Sequence, residues 1–293
     1  MLNDLRRSLL FIPGNSPSML QNGGVFEADS VILDLEDAVA PGEKDAARFL
    51  IAHSLRTVDY GQSEKMVRIN PLDTFAAADI AAIVPCAPDA LLVPKVESAE
   101  DILKVVAMVE AAEQPGQKPV KLVALLETPR GIVEAYPIAK SHERVVALAL
   151  GAEDYTAGLG ATRTREGQEI FTARTLVINA AAAAGIQSID TPFTDANDDE
   201  GLKADTELCR HLGFNGKLSI NPRQIDVIHG VFNPSSDDVD WAEQVLQAIR
   251  QAEAEGSGVA SLNGKMVDLP IVNRAKRTLE LARLVGLTGR DES

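Results

Sequence analysis

Glu127 and Asp154 each follow a short apolar run, Lys121–Leu126 and Val145–Leu150, that ends in a polar turn. If those runs lie side by side, the two carboxylates converge. Two carboxylates with water and a chelating substrate suit Mg²⁺, a hard cation that keeps part of its water shell. The alternative is one helix N-cap and one salt bridge, because acids are common where a strand turns into a helix. Spacing alone leaves both readings open. Arg68 sits in the apolar setting Val67-Arg68-Ile69-Asn70, where a planar guanidinium can grip a substrate carboxylate at two points. It can equally pair with Asp34, Glu36 or Asp37. Those three acids fall within four residues, and alternation along an extended chain puts Asp34 and Glu36 on one face with Leu35 on the other. They cannot cheaply stay ionised together without a cation or an arginine nearby; for Asp37, helix capping is the competing role.

Weaker signals surround these. The turn Leu150-Gly151-Ala152-Glu153 allows close backbone approach at Gly151, and its amides, near a helix start, could receive a carboxylate or oxyanion. Lys95 could form a Schiff base, but acids around it favour a charged, ion-paired role. His53, His142 and His211 fall in helical stretches and His229 near one, so no catalysis is assigned to them.

The elements that must position these groups recur as eight short apolar runs: Ser8–Ile12, Ser30–Leu35, Met66–Ile69, Ala90–Val93, Lys121–Leu126, Val145–Leu150, Gln187–Asp190 and Gly216–Ile220. Helical spacing fills the gaps, as in Glu43–Thr57, Ala99–Glu113, Ile132–Ala139 and Ala173–Ala184. Eight strand-then-helix repeats favour a closed (β/α)₈ TIM barrel over an open sheet. Barrel enzymes carry their chemistry at the C-terminal ends of the strands, and the ionisable residues gather there. The expected division is a barrel over 1–232 and a C-terminal helical extension over 233–293, with a turn or hinge at Gly256-Ser257-Gly258.

Of the 293 residues, 45% are hydrophobic but only 4% aromatic, so the core must be built from Ala, Val, Ile and Leu. The net charge of −15 disfavours general nucleic-acid binding. Cys86 and Cys209 stand far apart without a zinc or disulfide pattern and are expected to be buried fillers. The N-terminal apolar run is too short for a signal or membrane segment, so a cytoplasmic location without membrane attachment is expected.

The motifs RRSLLFIPGN (6–15), ADSVILDLEDAV (28–39), VRIN (67–70), VPKVES (93–98), LLETPRGI (125–132), ALGAEDY (149–155), AAGIQSIDTPFTD (183–195), LGFNGKLSINPRQI (212–225) and SLNGKMVDLP (261–270) run in order along nearly the whole chain. Together they resemble the citrate lyase β-subunit-like group of the HpcH/HpaI aldolase/citrate lyase superfamily, whose relatives include malyl-CoA and citramalyl-CoA lyases. The resemblance implies a Mg²⁺-dependent barrel, usually a homotrimer, that cleaves carboxylated 3-hydroxyacyl thioesters by a retro-Claisen route. It implies Glu127 and Asp154 as metal ligands, Arg68 as carboxylate clamp, and Glu36 and Asp37 lining the metal's water shell. Asp268 would act as acid/base in a neighbouring subunit's site, and Arg7 would lie toward the nucleotide or pantetheine arm. The tail and NPRQI point to citryl carried on an acyl-carrier protein or CoA, with transferase and acyl-carrier subunits as partners. ETPRG and IDTPFTD look closer to stand-alone citramalyl-CoA or malyl-CoA lyases or thioesterases. A non-catalytic scaffold subunit is the reading from another class.

Overall fold

The computed structural model describes residues 5–254, 260–262 and 264–287. Eight parallel strands follow one another: β1 (Ser8–Pro13), β2 (Ser30–Asp34), β3 (Glu64–Arg68), β4 (Ala90–Val93), β5 (Lys121–Leu126), β6 (Val145–Leu150), β7 (Gln187–Asp190) and β8 (Gly216–Ser219). Each pairs with the next, and β8 returns to β1, so that Leu9 pairs with both Ser30 and Leu218. The expected (β/α)₈ barrel is the fold.

Boundaries differ where pairing or turn chemistry overrides the apolar pattern. Strand β3 starts at Glu64, ahead of the apolar run, because Glu64 and Lys65 pair with Ser30 and Val31. Strand β2 stops at Asp34, whose carboxylate accepts the amides of Glu36 (2.9 Å) and Ala38 (3.1 Å) and so curls the chain out of the ladder. The helix expected over Ile132–Ala139 is two short helices, Pro129–Val133 and Ala135–Lys140. Pro137 has no N–H to return to the Val133 carbonyl, which breaks the continuous ladder.

Inside the barrel, Leu9, Ile32, Met66, Leu125, Ala149 and Ile189 belong to one buried apolar cluster. Side chains alternate along a strand, so the next inward position beyond each of the last five is Asp34, Arg68, Glu127, Gly151 and Thr191. The candidate site is therefore the polar top layer of the barrel filling. Residues of opposite parity face the helices. Asp190 and Lys217, paired across β7 and β8, are fully buried and meet Arg174 from helix Phe171–Ala184 and Asp205 from helix Asp199–Leu212. The Asp190 carboxylate accepts Arg174 Nε at 2.9 Å and Lys217 Nζ at 2.7 Å, and Asp205 accepts Arg174 Nη2 at 2.7 Å and Lys217 Nζ at 2.6 Å. Two cations and two anions thus neutralise one another behind the barrel wall.

The strands' starting end carries its own clasps. Arg6 donates to Glu64 at 2.5 and 2.7 Å and to Gln187 at 2.6 Å. Gly216 opens β8 where a Cβ would fall 1.7 Å from the Arg6 carbonyl oxygen, so only glycine closes the seam there. Cys86 and Cys209 are free and buried, as expected.

Arg6–His229 form one compact unit, and the described residues from Gly230 onward belong to a second. That second unit packs helix Ser236–Ala254 and helix Leu269–Leu284 with an antiparallel hairpin, β9 (Ala260–Leu262) and β10 (Lys265–Val267), around Ala242, Val245, Val267, Val272 and Ala275. The hinge expected at Gly256–Gly258 lies outside the described residues. Among the described residues no helix is long and apolar enough to cross a membrane.

The buried quartet generates a stability prediction. Asp190→Asn leaves Lys217 and Arg174 facing a single carboxylate in a dry setting, and removing one partner of a buried ion pair costs about 3–5 kcal/mol. Urea denaturation should show that loss as a lower midpoint with an unchanged slope.

Candidate active site

A cavity of about 450 Å³ opens at the C-terminal ends of the strands, lined by Phe11, Asp34, Arg68, Glu127, Gly151, Asp154, Thr191 and Ile220 among others. Arg68 is its buried cation. Nε and Nη2 donate to the two Asp34 oxygens at 2.7 and 2.6 Å, and the guanidinium carbon lies 4.7 Å from the centre of the Phe11 ring. Burial, the largest single influence, works against the charge. The Asp34 hydrogen bonds and the fields of Asp34, Glu36 and Asp37 outweigh it and hold the proton more firmly than usual. The ion-pair alternative for Arg68 is therefore realised with Asp34. Nη1 is turned to other acids, 2.9 Å from Glu36 Oε2 and 3.3 Å from Asp37 Oδ2.

Glu36 is driven inward by the turn that Asp34 holds, and Lys44 locks that turn by donating Nζ to the carbonyls of Leu35 (2.7 Å) and Glu36 (2.6 Å). Neither Glu36 carboxyl oxygen has a hydrogen-bond partner; Nη1 of Arg68 is close without being aligned. Burial, only partly offset by Arg68, pushes Glu36 up to about 7. Asp37 stays on the exposed side of the turn. It does not cap a helix, because the next α-helix starts only at Lys44.

Glu127 is the inward residue just past β5, and Oε1 accepts the Lys95 amide at 2.9 Å. Burial, with Glu36 and Asp154 adding repulsion, pushes its carboxyl up to about 8. It is not an N-cap: Thr128 takes that role by accepting the Gly131 amide at 3.1 Å. Asp154 lies in the first turn of helix Ala152–Leu159, half-exposed, with Oδ2 at 3.4 Å from Lys95 Nζ. Gly151 makes the space. A Cβ there would stand 2.6 Å from Glu127 Cβ and 2.7 Å from its Oε2, so the acid of β5 lies in the gap left by the glycine of β6.

Two expectations are corrected. The amides of Gly151 and Ala152 are not available to a substrate, because Gly151 donates to the Leu126 carbonyl (3.0 Å) and Ala152 to Thr191 Oγ1 (3.1 Å); both residues line the cavity without offering a donor. Arg7 does not reach the mouth. It precedes β1 and donates to Asp29 at 2.6–2.8 Å, and at about 3.3 Å per residue the strand holds it roughly 20 Å from Pro13 at the cavity end. Lys95 takes the charged, ion-paired role that the acids around it favoured: burial lowers its proton affinity, but Glu36, Asp154 and Glu127 more than reverse this. Asp268 caps helix Leu269–Leu284, Oδ1 accepting the Ile271 amide at 3.2 Å, and is exposed within the second unit.

Lys44 and Thr191 were not apparent from the chain. Lys44 reads as an ordinary first-turn residue, and Thr191 as one more turn residue after Asp190. Only alternation from Ile189 would have aimed Thr191 inward.

The donor set fits a hard divalent cation. It is all oxygen, Glu36 has two buried acceptors unmet, and Glu127 just past β5 and Asp154 in the helix after β6 are both contacted by Lys95. Among the described residues no three His, Cys, Asp or Glu side chains converge as a closed cage, and an ion bound by two carboxylates fills its remaining positions with water or substrate.

The family model described as HpcH/HpaI aldolase/citrate lyase matches residues 7–222. The chain belongs to this family. It is 45% identical to citrate lyase subunit beta of Leuconostoc mesenteroides subsp. cremoris, across 95% of this chain and 93% of that one. It is 36% identical to the (3S)-malyl-CoA thioesterase of Cereibacter sphaeroides over 95% of each. The crystal structure of CitE from Mycobacterium tuberculosis in complex with magnesium, acetoacetate and coenzyme A superposes with a TM-score of 0.79 at 31% identity, covering 97% of this chain and all of that one. The family match covers β1 to β8, the strands whose ends carry the site.

Two outcomes follow from the geometry. Gly151→Ala should push Glu127 aside and lower turnover about a hundredfold, the size of loss expected when a cavity residue moves by about 1 Å, with the fold retained by circular dichroism. The raised carboxyls set the pH behaviour. Glu36 and Glu127 ionise near the ordinary value of 4.5 when unfolded but at about 7 and 8 when folded, so between these limits the folded chain holds more protons. Stability must then fall as pH rises from about 5 to 8 in chelator. A divalent cation, pairing with the ionised forms, should flatten that fall in thermal melts.

Proposed function

We propose that this chain is a Mg²⁺-dependent carbon–carbon lyase that cleaves a citryl thioester, carried on CoA or an acyl-carrier protein, into oxaloacetate and an acetyl thioester. The observation that carries this reading is the surplus of acid at the barrel mouth: Glu127 and Asp154 line a cavity in which Arg68 is already paired with Asp34, and Glu36 is buried against Arg68 behind it. Similarity to citrate lyase subunit beta at 45%, against 36% for the malyl-CoA thioesterase, supports citryl over malyl.

In this reading Glu127 and Asp154 hold the ion, and Glu36 and Asp37 line its water shell. When bound, Mg²⁺ supplies a Lewis acid for the ketoacid end and a counter-charge for the acids around it. Arg68, through Nη1, which exchanges Asp37 and Glu36 for the substrate, holds the distal carboxylate and orients the scissile bond. Cleavage requires the 3-hydroxyl to lose its proton, the bond between the second and third carbons to break, and its electron pair to pass into the thioester as an enolate. Asp268, presented by a neighbouring copy in a homotrimer, takes that proton and returns it to the enolate carbon. Its cap uses Oδ1, and its position on the exposed face of its own unit supports that role. The acyl-carrier protein and a transferase subunit are the partners this reaction calls for, in a cytoplasmic complex.

The test is a panel of citryl, malyl and citramalyl thioesters with identification of the released ketoacid. Oxaloacetate should appear only with added Mg²⁺. It should vanish in Glu127→Gln and Asp154→Asn and fall about 10²–10⁴-fold in kcat, at similar KM, in Asp268→Asn. Glyoxylate or pyruvate without oxaloacetate would replace citryl by malyl or citramalyl, and turnover unaffected by Glu127→Gln would leave a scaffold.

A further inference from the structure

Lys95 reaches three acids of the cation site, Glu36, Glu127 and Asp154. It follows β4 with φ of +51°, a left-handed conformation that costs a non-glycine residue on the order of 1 kcal/mol. Two other non-glycine residues share a positive φ among the described residues, Glu27 and Ala87, and both end short 3₁₀ turns. Lys95 ends no helix. Its neighbour Val96 instead resumes ladder-like bonding, donating to the Leu125 carbonyl, so the distortion is confined to one residue beside β5. That residue's amide donates to Glu127 Oε1 at 2.9 Å, and its ammonium lies 3.4 Å from Asp154 Oδ2 and 3.6 Å from Glu36 Oε1. Backbone strain kept at one position, with both the amide and the side chain engaged by the site, is the pattern of a functional constraint.

We infer that Lys95 is the positioning residue of the cation site and sets its affinity, the strained amide aiming Glu127 while the ammonium serves as a resident counter-charge that an incoming divalent ion displaces. The inference rests on Glu127 and Asp154 being the metal ligands. With no cation, three carboxylates would repel one another across the mouth, and the ammonium holds Glu36 and Asp154 in place. With a cation, the same positive charge opposes binding, because like charges a few ångströms apart repel strongly where water is partly excluded. Lys95 therefore exchanges cation affinity for an ordered site before loading. Its side chain is about two-fifths exposed, which gives the displaced ammonium water to move into.

The experiment is Mn²⁺ titration of the full-length chain by electron paramagnetic resonance, with competition by Mg²⁺, alongside thermal melts in chelator. Lys95→Met keeps the length of the side chain without its charge, and Lys95→Gly keeps the left-handed backbone without the side chain. Both should bind Mn²⁺ about tenfold more tightly than the parent chain. Both should also melt earlier in chelator, with the deficit closed by saturating Mn²⁺, while Lys95→Arg stays near the parent. Unchanged or weaker binding in folded Lys95→Met and Lys95→Gly overturns the inference; if the methionine variant does not fold, Lys95→Gln answers the same question. Glu127→Gln and Asp154→Asn separate the two levels: Mn²⁺ uptake in both variants equal to that of the parent chain overturns the metal reading, and this inference with it.

Discussion

Arg68 and Asp34 meet through two short hydrogen bonds at the ends of adjacent strands, and neither could be buried there alone. An unpaired charge in that position would cost on the order of several kcal/mol; paired, the two tie β2 to β3 where the chain leaves the barrel. Asp34 is then fixed well enough to hold the amides of Glu36 and Ala38, which turns the chain so that Glu36 points inward. Lys44 secures the same turn from behind. Because two nitrogens of Arg68 are committed to Asp34, Glu36, Glu127 and Asp154 are left with Nη1 of Arg68 and with Lys95 for positive charge. The cavity's need for a cation thus follows from the pair that builds it.

The two buried charge systems of this barrel make an instructive contrast. Behind β7 and β8, two cations meet two anions and all four are satisfied by one another, apart from Arg174 Nη1, which has no hydrogen-bond partner. At the mouth, acids outnumber bases and the shortfall falls on Glu36. Strand parity decides which residue joins which system: Asp190 and Thr191 are adjacent, yet one closes the structural quartet and the other caps the turn of the site.

Much of this was readable from the chain. Every one of the eight runs overlaps a strand, because a parallel barrel buries both faces and so makes most of its strands largely hydrophobic. Acids and Arg68 at the run ends marked the site for the same reason. What the pattern did not carry was direction and occupancy. An amide's availability depends on a distant acceptor such as Thr191 Oγ1, and the lattice of bonds around Gly151 and Ala152 is tertiary. Arg7 shares its motif with Phe11 and Pro13, which line the cavity, but a strand has two ends, and only its position before β1 reveals which one it serves. Lys95's left-handed backbone has no sequence signature, since lysine is an unexpected residue for it.

The clasp at Gly216 has a consequence for how the molecule is made. Strand β1 is the first to leave the ribosome and its last partner is β8, so one edge of β1 stays unpaired until the segment beginning at Gly216 has emerged. Throughout that interval the nascent sheet has an open edge able to pair with other chains. Closing it demands that a backbone carbonyl and a glycine approach within a space no side chain tolerates. A larger residue at this seam would therefore be felt first during synthesis, as aggregation of unfinished barrels.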